Sequence, residues 1–180
     1  RSTPKPSSAA SDVYKRQIQD LGRFEYQKYG VPTSGALDSL AFQIGNILLG
    51  NSYENPGIET TMIGPTIKFE SNMWICITGA QSSPILDGKE IQMWKPIYVK
   101  ENSILKRGSL NWGIRSYILF KMEMEIEKTM NSYSANTGLA IGGHNDGLPL
   151  KKGDKIKLIN SNNDFVDKIA GSSNLKILVK

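Results

Sequence analysis

One cysteine and one histidine in 180 residues remove several chemistries at the outset. Cys76 has no partner for an internal disulfide, and it stands in the apolar stretch Trp74-Ile75-Cys76-Ile77-Thr78, where it reads as a small buried hydrophobe in a reduced setting. A Ser-His-Asp triad would have to run through His144, whose loop Gly142-Gly143-His144-Asn145-Asp146-Gly147 has no nucleophile elbow, so this histidine reads as a solvated turn residue. Cysteine and histidine together supply too few ligands for zinc, and no metal site is expected. No apolar run approaches the roughly 20 residues that span a bilayer, and no apolar signal-peptide core is seen near the N-terminus. The phosphate-binding pattern G-x-x-x-x-G-K-[ST] and the biotin-attachment pattern M-K-M are both missing.

Blocks of like charge are missing too. The net charge is +5 with a pI near 9.2, but the lysines are scattered and only pairs such as Lys106-Arg107 and Lys151-Lys152 occur. A solvated basic surface fits this better than a nucleic-acid face. No period of about 20 to 50 residues repeats, which disfavours solenoids and propellers. Any chemistry must come from carboxylates, arginines, lysines, hydroxyls and backbone amides.

What is present describes a globular domain, with 39% hydrophobic and 22% charged residues. Residues 1–17, rich in Ser, Pro, Ala and Lys without apolar periodicity, are expected to be a disordered or non-native tail, and the fold to begin at Ile18. Asp38 suits the N-cap of a helix over Ser39–Leu49, with Gly50 as its left-handed terminator. Leu40, Ile44, Ile47 and Leu48 share one face of that helix and are expected to pack on a core. After Asn55-Pro56-Gly57 the chain turns to short β-type runs: Ile58–Met62, Thr66–Phe69, Met73–Thr78, Ser83–Leu86, Ile97–Lys100, Arg115–Phe120 and Lys155–Leu158. Asp87-Gly88 offers a hairpin turn. Lys121–Lys128 alternates, with Met122, Met124 and Ile126 on one face and Glu123, Glu125 and Glu127 on the other, the pattern of a half-buried strand. One helix among many short strands gives a mainly β class, a barrel or a sandwich.

Glycines, carboxylates and an arginine concentrate in Ile18-Gln19-Asp20-Leu21-Gly22-Arg23 and Gly30-Val31-Pro32-Thr33-Ser34-Gly35-Ala36-Leu37-Asp38. Backbone N–H groups of such a loop, leading into a helix N-terminus, can bind a carboxylate or phosphate, and Arg23 could add a bidentate anion contact. The same residues could instead be plain turn glycines, a helix cap at Asp38 and an arginine paired with Asp20 or Asp38. Composition alone leaves both readings open.

These two strings, with Ala41, Asn46–Asn51, Ile58-Glu59, Gly64-Pro65-Thr66, Ile77-Thr78-Gly79-Ala80, Leu86-Asp87-Gly88 and Arg115-Ser116-Tyr117, resemble in order and spacing the 5-oxoprolinase C-subunit family, also called biotin-dependent carboxyltransferase-like, the second subunit of allophanate hydrolase, or kinase-inhibitor antagonist KipA. The resemblance is good over about Ile18 to Phe120. It implies a cyclophilin-like β-barrel, and over 18–180 a C-subunit-like domain truncated at its C-terminus, because Asn174–Lys180 reads like the strand before a further Gly-Pro-containing segment. It implies a cytoplasmic complex in which the C-subunit works with subunits A and B, most directly with a domain like that of B, to cleave 5-oxo-L-proline to L-glutamate with ATP. The alternatives are the carboxyltransferase-type domain of a biotin-dependent urea carboxylase and a KipA-like regulatory binding module.

Carried onto this chain, the resemblance implies Arg23, Asp38 and Glu59 as catalytic and Ser34, Gly35, Asn46, Thr78 and Gly79 as substrate-binding residues. The chain departs from the family pattern at Lys121-Met122-Glu123, where a Gly-Gly stretch is usual, at Asn131–Ala135, and at Leu148, where an arginine is common.

Overall fold

The computed structural model describes residues 15–159 and 175–179. Most of the expected tail therefore lies outside the described residues, but its boundary moves: the first strand, β1, is Arg16–Gln19, so Arg16 and Gln17 belong to the fold. The described residues form β1, then helix α1 (Ser39–Leu48), β2 (Gly57–Thr61), β3 (Thr66–Phe69), β4 (Met73–Ser82), β5 (Ile85–Leu86), β6 (Lys89–Glu90), β7 (Ile97–Val99), β8 (Ile104–Lys106), β9 (Leu110–Phe120), β10 (Glu123–Met124), β11 (Lys155–Ile159) and β12 (Leu175–Val179). The mainly β class is as expected. The strands pair antiparallel in two sheets, ordered β1-β2-β9-β4-β7 and β10-β11-β12-β3-β8-β5-β6, and among the described residues no strand pair joins them into a closed barrel.

Turn chemistry sets the small hairpin: Asp87 and Gly88 both take positive φ (50° and 83°), the geometry that matches strand twist between β5 and β6. The glutamate-rich segment is short as a strand, but its alternation is real. Met122 and Met124 are buried, and Glu125 faces out to pair with Lys157 at 2.5 Å.

Ile75–Thr78 of β4 and Tyr117–Phe120 of β9 are covered on both faces, which explains why these stretches read as apolar runs. Ile75, Ile77, Ile118 and Phe120 point toward the other sheet, where Ile67, Phe69, Leu105, Ile156 and Leu158 meet them. Cys76, Tyr117 and Leu119, one residue out of phase, point the other way and pack under Ala41, Phe42 and Leu49 of α1 and its C-terminal end. Phe42 meets Tyr117 edge to face at 5.5 Å.

Helix α1 corrects one expectation. Asp38 caps it, its Oδ1 accepting from the Ala41 N–H at 3.0 Å, and Gly50 has φ 71°. The face laid on the sheet, however, is Ala41, Phe42, Gly45, Asn46 and Leu49, while Leu40, Ile47 and Leu48 are 67%, 62% and 40% exposed and Ile44 is half-buried. Close approach decides this. A Cβ on Gly45 would stand 2.3 Å from Leu119 Cδ1 and 2.9 Å from Thr78 Cγ2, so only the small-residue face fits that closely, and the Thr78 hydroxyl then reaches the Ala41 carbonyl at 2.8 Å.

Candidate functional site

Antiparallel register places Gln17 opposite Glu59, Glu59 opposite Tyr117, and Thr61 opposite Arg115. Side chains alternate along each strand, so Gln17, Gln19, Glu59, Arg115 and Tyr117 share the α1 side of the sheet. Where the start of α1 leaves this face uncovered, Gln17, Gln19, Glu59 and Arg115 line an open cleft of about 320 Å³, together with Ser34, Gly35 and Leu37 on one side and Ala135, Asn136 and Thr137 on another.

The loop that supplies Ser34 and Gly35 is fixed from behind. Asp20 accepts from the Gly22 N–H (2.7 Å), the Ser132 hydroxyl (2.7 Å), the Tyr133 N–H (2.7 Å) and the Ser134 hydroxyl (2.6 Å). Arg23 is 1% exposed and donates to the carbonyls of Thr129 and Ser134 and, at 3.1 Å, to Ser34 Oγ. Burial pulls its guanidinium pKa down, and the charge of Asp20 opposes that shift. These bonds tie the 18–36 segment to the 129–136 segment, so the residues that seemed poised for an anion are engaged within the protein. Gly35 (φ 89°) is held by its N–H on Gln19 Oε1 at 3.1 Å, and a Cβ there would sit 2.7 Å from the Leu21 carbonyl.

Ser34 is where this staple meets the cleft. Its oxygen accepts from Arg23 Nη1 and, at 2.9 Å, from Asn136 Nδ2. With both lone pairs engaged by donors, one of them cationic, its own O–H is polarised as a donor.

Glu59, 8% exposed, is the centre of the opposite wall. Oε2 accepts from the Leu37 N–H (2.9 Å) and the Tyr117 hydroxyl (3.1 Å). Arg115 Nε lies 3.2 Å from Oε1, an ion-pair distance, but off the line a hydrogen bond needs. Tyr117 Oη in turn accepts from the Asp38 N–H at 2.7 Å. Burial, reinforced by the negative charge of Glu59, raises the Tyr117 pKa far above its usual value, so the phenol remains a proton donor to Glu59 at neutral pH.

Of the residues expected at a site, Ser34, Gly35 and Glu59 line this cleft, and Arg23 stands behind Ser34. Asp38 is the exposed helix cap; its backbone N–H reaches Glu59 through Tyr117, and its carboxylate caps α1. Asn46 and Thr78 are fully buried and tie helix to loop and sheet, Asn46 Nδ2 donating to the Asn55 carbonyl at 2.9 Å. Gly79 lines a different cleft. Sequence reasoning missed Arg115, Tyr117, Gln17, Gln19 and Asn136. The signal for the first two was present: Arg115 and Tyr117 are spaced by two in a strand and so share a face. Among the described residues no group of three or more His, Cys, Asp or Glu side chains could hold a metal, and no helix is long and apolar enough to cross a membrane.

This arrangement, a two-sheet domain with one helix packed on one face of a sheet beside a polar cleft, has the fold of a carboxyltransferase-type domain. It superposes on the urea carboxylase of Kluyveromyces lactis with a TM-score of 0.78 at 30% identity, covering 88% of this chain and 14% of that one. The family model for the carboxyltransferase domain, subdomain A and B, matches residues 29–177, and the chain belongs to that family. It is 36% identical over 150 residues to the 5-oxoprolinase C-subunit of Haemophilus influenzae, covering 83% of this chain and 48% of that protein. It is also 42% identical over 142 residues to the urea amidolyase of Saccharomyces cerevisiae, covering 78% of this chain and 8% of that protein. The chain thus spans about half the length of the 5-oxoprolinase C-subunits it matches and a small part of the urea amidolyases.

Proposed function

We propose that this domain is part of the C-subunit of a cytoplasmic, multi-subunit 5-oxoprolinase that hydrolyses 5-oxo-L-proline to L-glutamate with ATP, in complex with subunits A and B. The observation that carries the reading is the facing pair of Glu59–Arg115 and Ser34 across a cleft of about 320 Å³, the size of a small-molecule site. The substrate is a lactam bearing a carboxylate, and the cleft holds a group suited to each part. Arg115, whose Nη atoms make no hydrogen bond among the described residues, attracts the carboxylate. The Ser34 hydroxyl, polarised by Arg23, donates to the lactam oxygen as negative charge grows there. Glu59, which receives a proton-bearing hydroxyl from Tyr117, exchanges a proton at the ring nitrogen. Asp38 fixes the helix end that orients Tyr117, and Gly35 lets the loop pack closely on the Leu21 carbonyl beside the cleft.

ATP activates the lactam when bound. In this reading ATP is used by the complex, with the subunit that holds the nucleotide left open; the chain carries no G-x-x-x-x-G-K-[ST] pattern.

The second reading, a carboxyltransferase-type domain acting on urea, rests on the higher identity to urea amidolyase and on the structural likeness to urea carboxylase. The test is co-expression of a longer version of this chain with its neighbouring subunits, followed by glutamate release from 5-oxoproline with and without ATP. Release that needs both ATP and this chain supports the oxoprolinase. Turnover of urea only, with a biotin-bearing partner, would replace it, and a stable complex with no turnover would favour the regulatory module.

A further inference from the structure

A second cleft, of about 810 Å³, lies at the far end of the β4–β9 ribbon and shares no lining residue with the first. The ribbon is irregular there. Its register shifts between Gly79 and Gln81 and again between Gln81 and Ser82, and such bulges re-aim side chains. Gly113, beside Trp112, has φ 92°, and a Cβ on it would stand 2.6 Å from Ala80 Cβ, so the two strands close tightly at the bulge.

The 91–94 segment, which lines the same cleft, is stapled before and after the bulge, Trp94 N–H to the Ile77 carbonyl of β4 (2.8 Å) and Ile91 N–H to the carbonyl of Pro84, just beyond β4 (2.9 Å). Trp94 takes φ 59°, a left-handed conformation that is unusual for a bulky side chain, and it is held there by that staple. The result is a cleft lined by two indoles, Trp94 at 43% exposure and Trp112 at 80%.

The polar groups are also unengaged. Neither indole N–H, nor the amides of Gln81 and Gln92, nor the carboxylate of Glu90 makes a side-chain hydrogen bond or ion pair among the described residues, and Glu90 is the only ionisable group lining the cleft. Lys89 and Lys95 are its nearest sequence neighbours of opposite charge, and neither lines it. Two aromatic faces with one carboxylate and no cation select for positive charge on an apolar body.

We propose that this cleft is a binding site for a small organic cation with a planar or methylated body, stacked between Trp94 and Trp112 and neutralised by Glu90. The inference is independent of the reading of the first cleft.

The test uses the ¹⁵N-labelled chain and follows its indole N–H signals by NMR during titration with benzyltrimethylammonium, with benzenesulfonate as the anionic counterpart. Trp74, which packs on Tyr98 at 5.3 Å away from this cleft, is the internal control. Saturable shifts of Trp94 and Trp112 with Trp74 unmoved, at least tenfold weaker binding of the sulfonate, and a tenfold or greater loss in Trp112→Ala are expected. The surface variant Glu90→Gln should weaken the cation several-fold and leave the sulfonate unchanged. Absence of a saturable shift, equal response to both probes, or binding that survives Trp112→Ala would overturn the site. An unchanged cation affinity in Glu90→Gln would overturn its charge selectivity.

Discussion

Arg23 and Arg107 are 1% and 0% exposed, yet they are buried in opposite ways. Arg23 donates to three acceptors and has the Asp20 charge near it. Arg107 makes one bond, from Nη2 to the Met62 carbonyl at 3.1 Å, while its Nε and Nη1 find no acceptor. Burial, together with the nearby positive charge of Arg16, pushes its guanidinium down to about 10. A buried cation stabilises a fold only when its donors are satisfied and a counter-charge is near, so one arginine is a staple behind the candidate site and the other is a cost the rest of the core must offset.

Substitutions should break that comparison in a definite order. The largest effect is expected from Asp20→Ala, which strips the acceptor from four donors and the counter-charge from Arg23, and should cost about 3–5 kcal/mol in urea unfolding. Arg23→Met should cost about 2–3 kcal/mol, because the Thr129 and Ser134 carbonyls lose their donor, and it should also lower turnover by releasing Ser34. Next comes a pH effect under helix α1, where Cys76 is buried beside Phe42 and Leu119. Burial raises the Cys76 thiol to about 11 from 9.0, so the folded state keeps its proton while the unfolded state loses it. Stability should then fall as pH rises from 9 toward 11, by up to roughly 2 kcal/mol, and Cys76→Ala should lack that slope in chemical denaturation at pH 8 and pH 10.5. The smallest change, and the one of opposite sign to Arg23→Met, is Arg107→Met, expected to be neutral or stabilising by about 1 kcal/mol in the same unfolding assay.

The same contrast shows what the sequence could reveal. Strand positions were legible because β-type runs such as β3 and the apolar parts of β4 and β9 are bounded by turn residues, and the Asp38 cap and the Asp87-Gly88 turn are local chemistry that survives any tertiary context. The buried face of α1 was not legible. Both faces are apolar, and the choice depended on how closely Gly45 lets the helix approach Leu119 and Thr78. Ser34, Gly35 and Glu59, named from the family resemblance, line the candidate cleft, but whether Arg23 faces a ligand or the interior depended on the 129–136 segment, more than 100 residues away in the chain. The spacing of Arg115 and Tyr117 put them on one face, but that this face also carries Glu59 followed from the register of Arg115 opposite Thr61.

The central claim is that Glu59 and Arg115 face Ser34 across a working cleft. Its most direct test is ATP-dependent glutamate release by the assembled complex carrying Glu59→Gln, with folding and assembly checked by circular dichroism and gel filtration. The account predicts a loss of about 100-fold or more in kcat with assembly intact, the scale of a lost proton-transfer group. Full activity in an intact Glu59→Gln complex would contradict it.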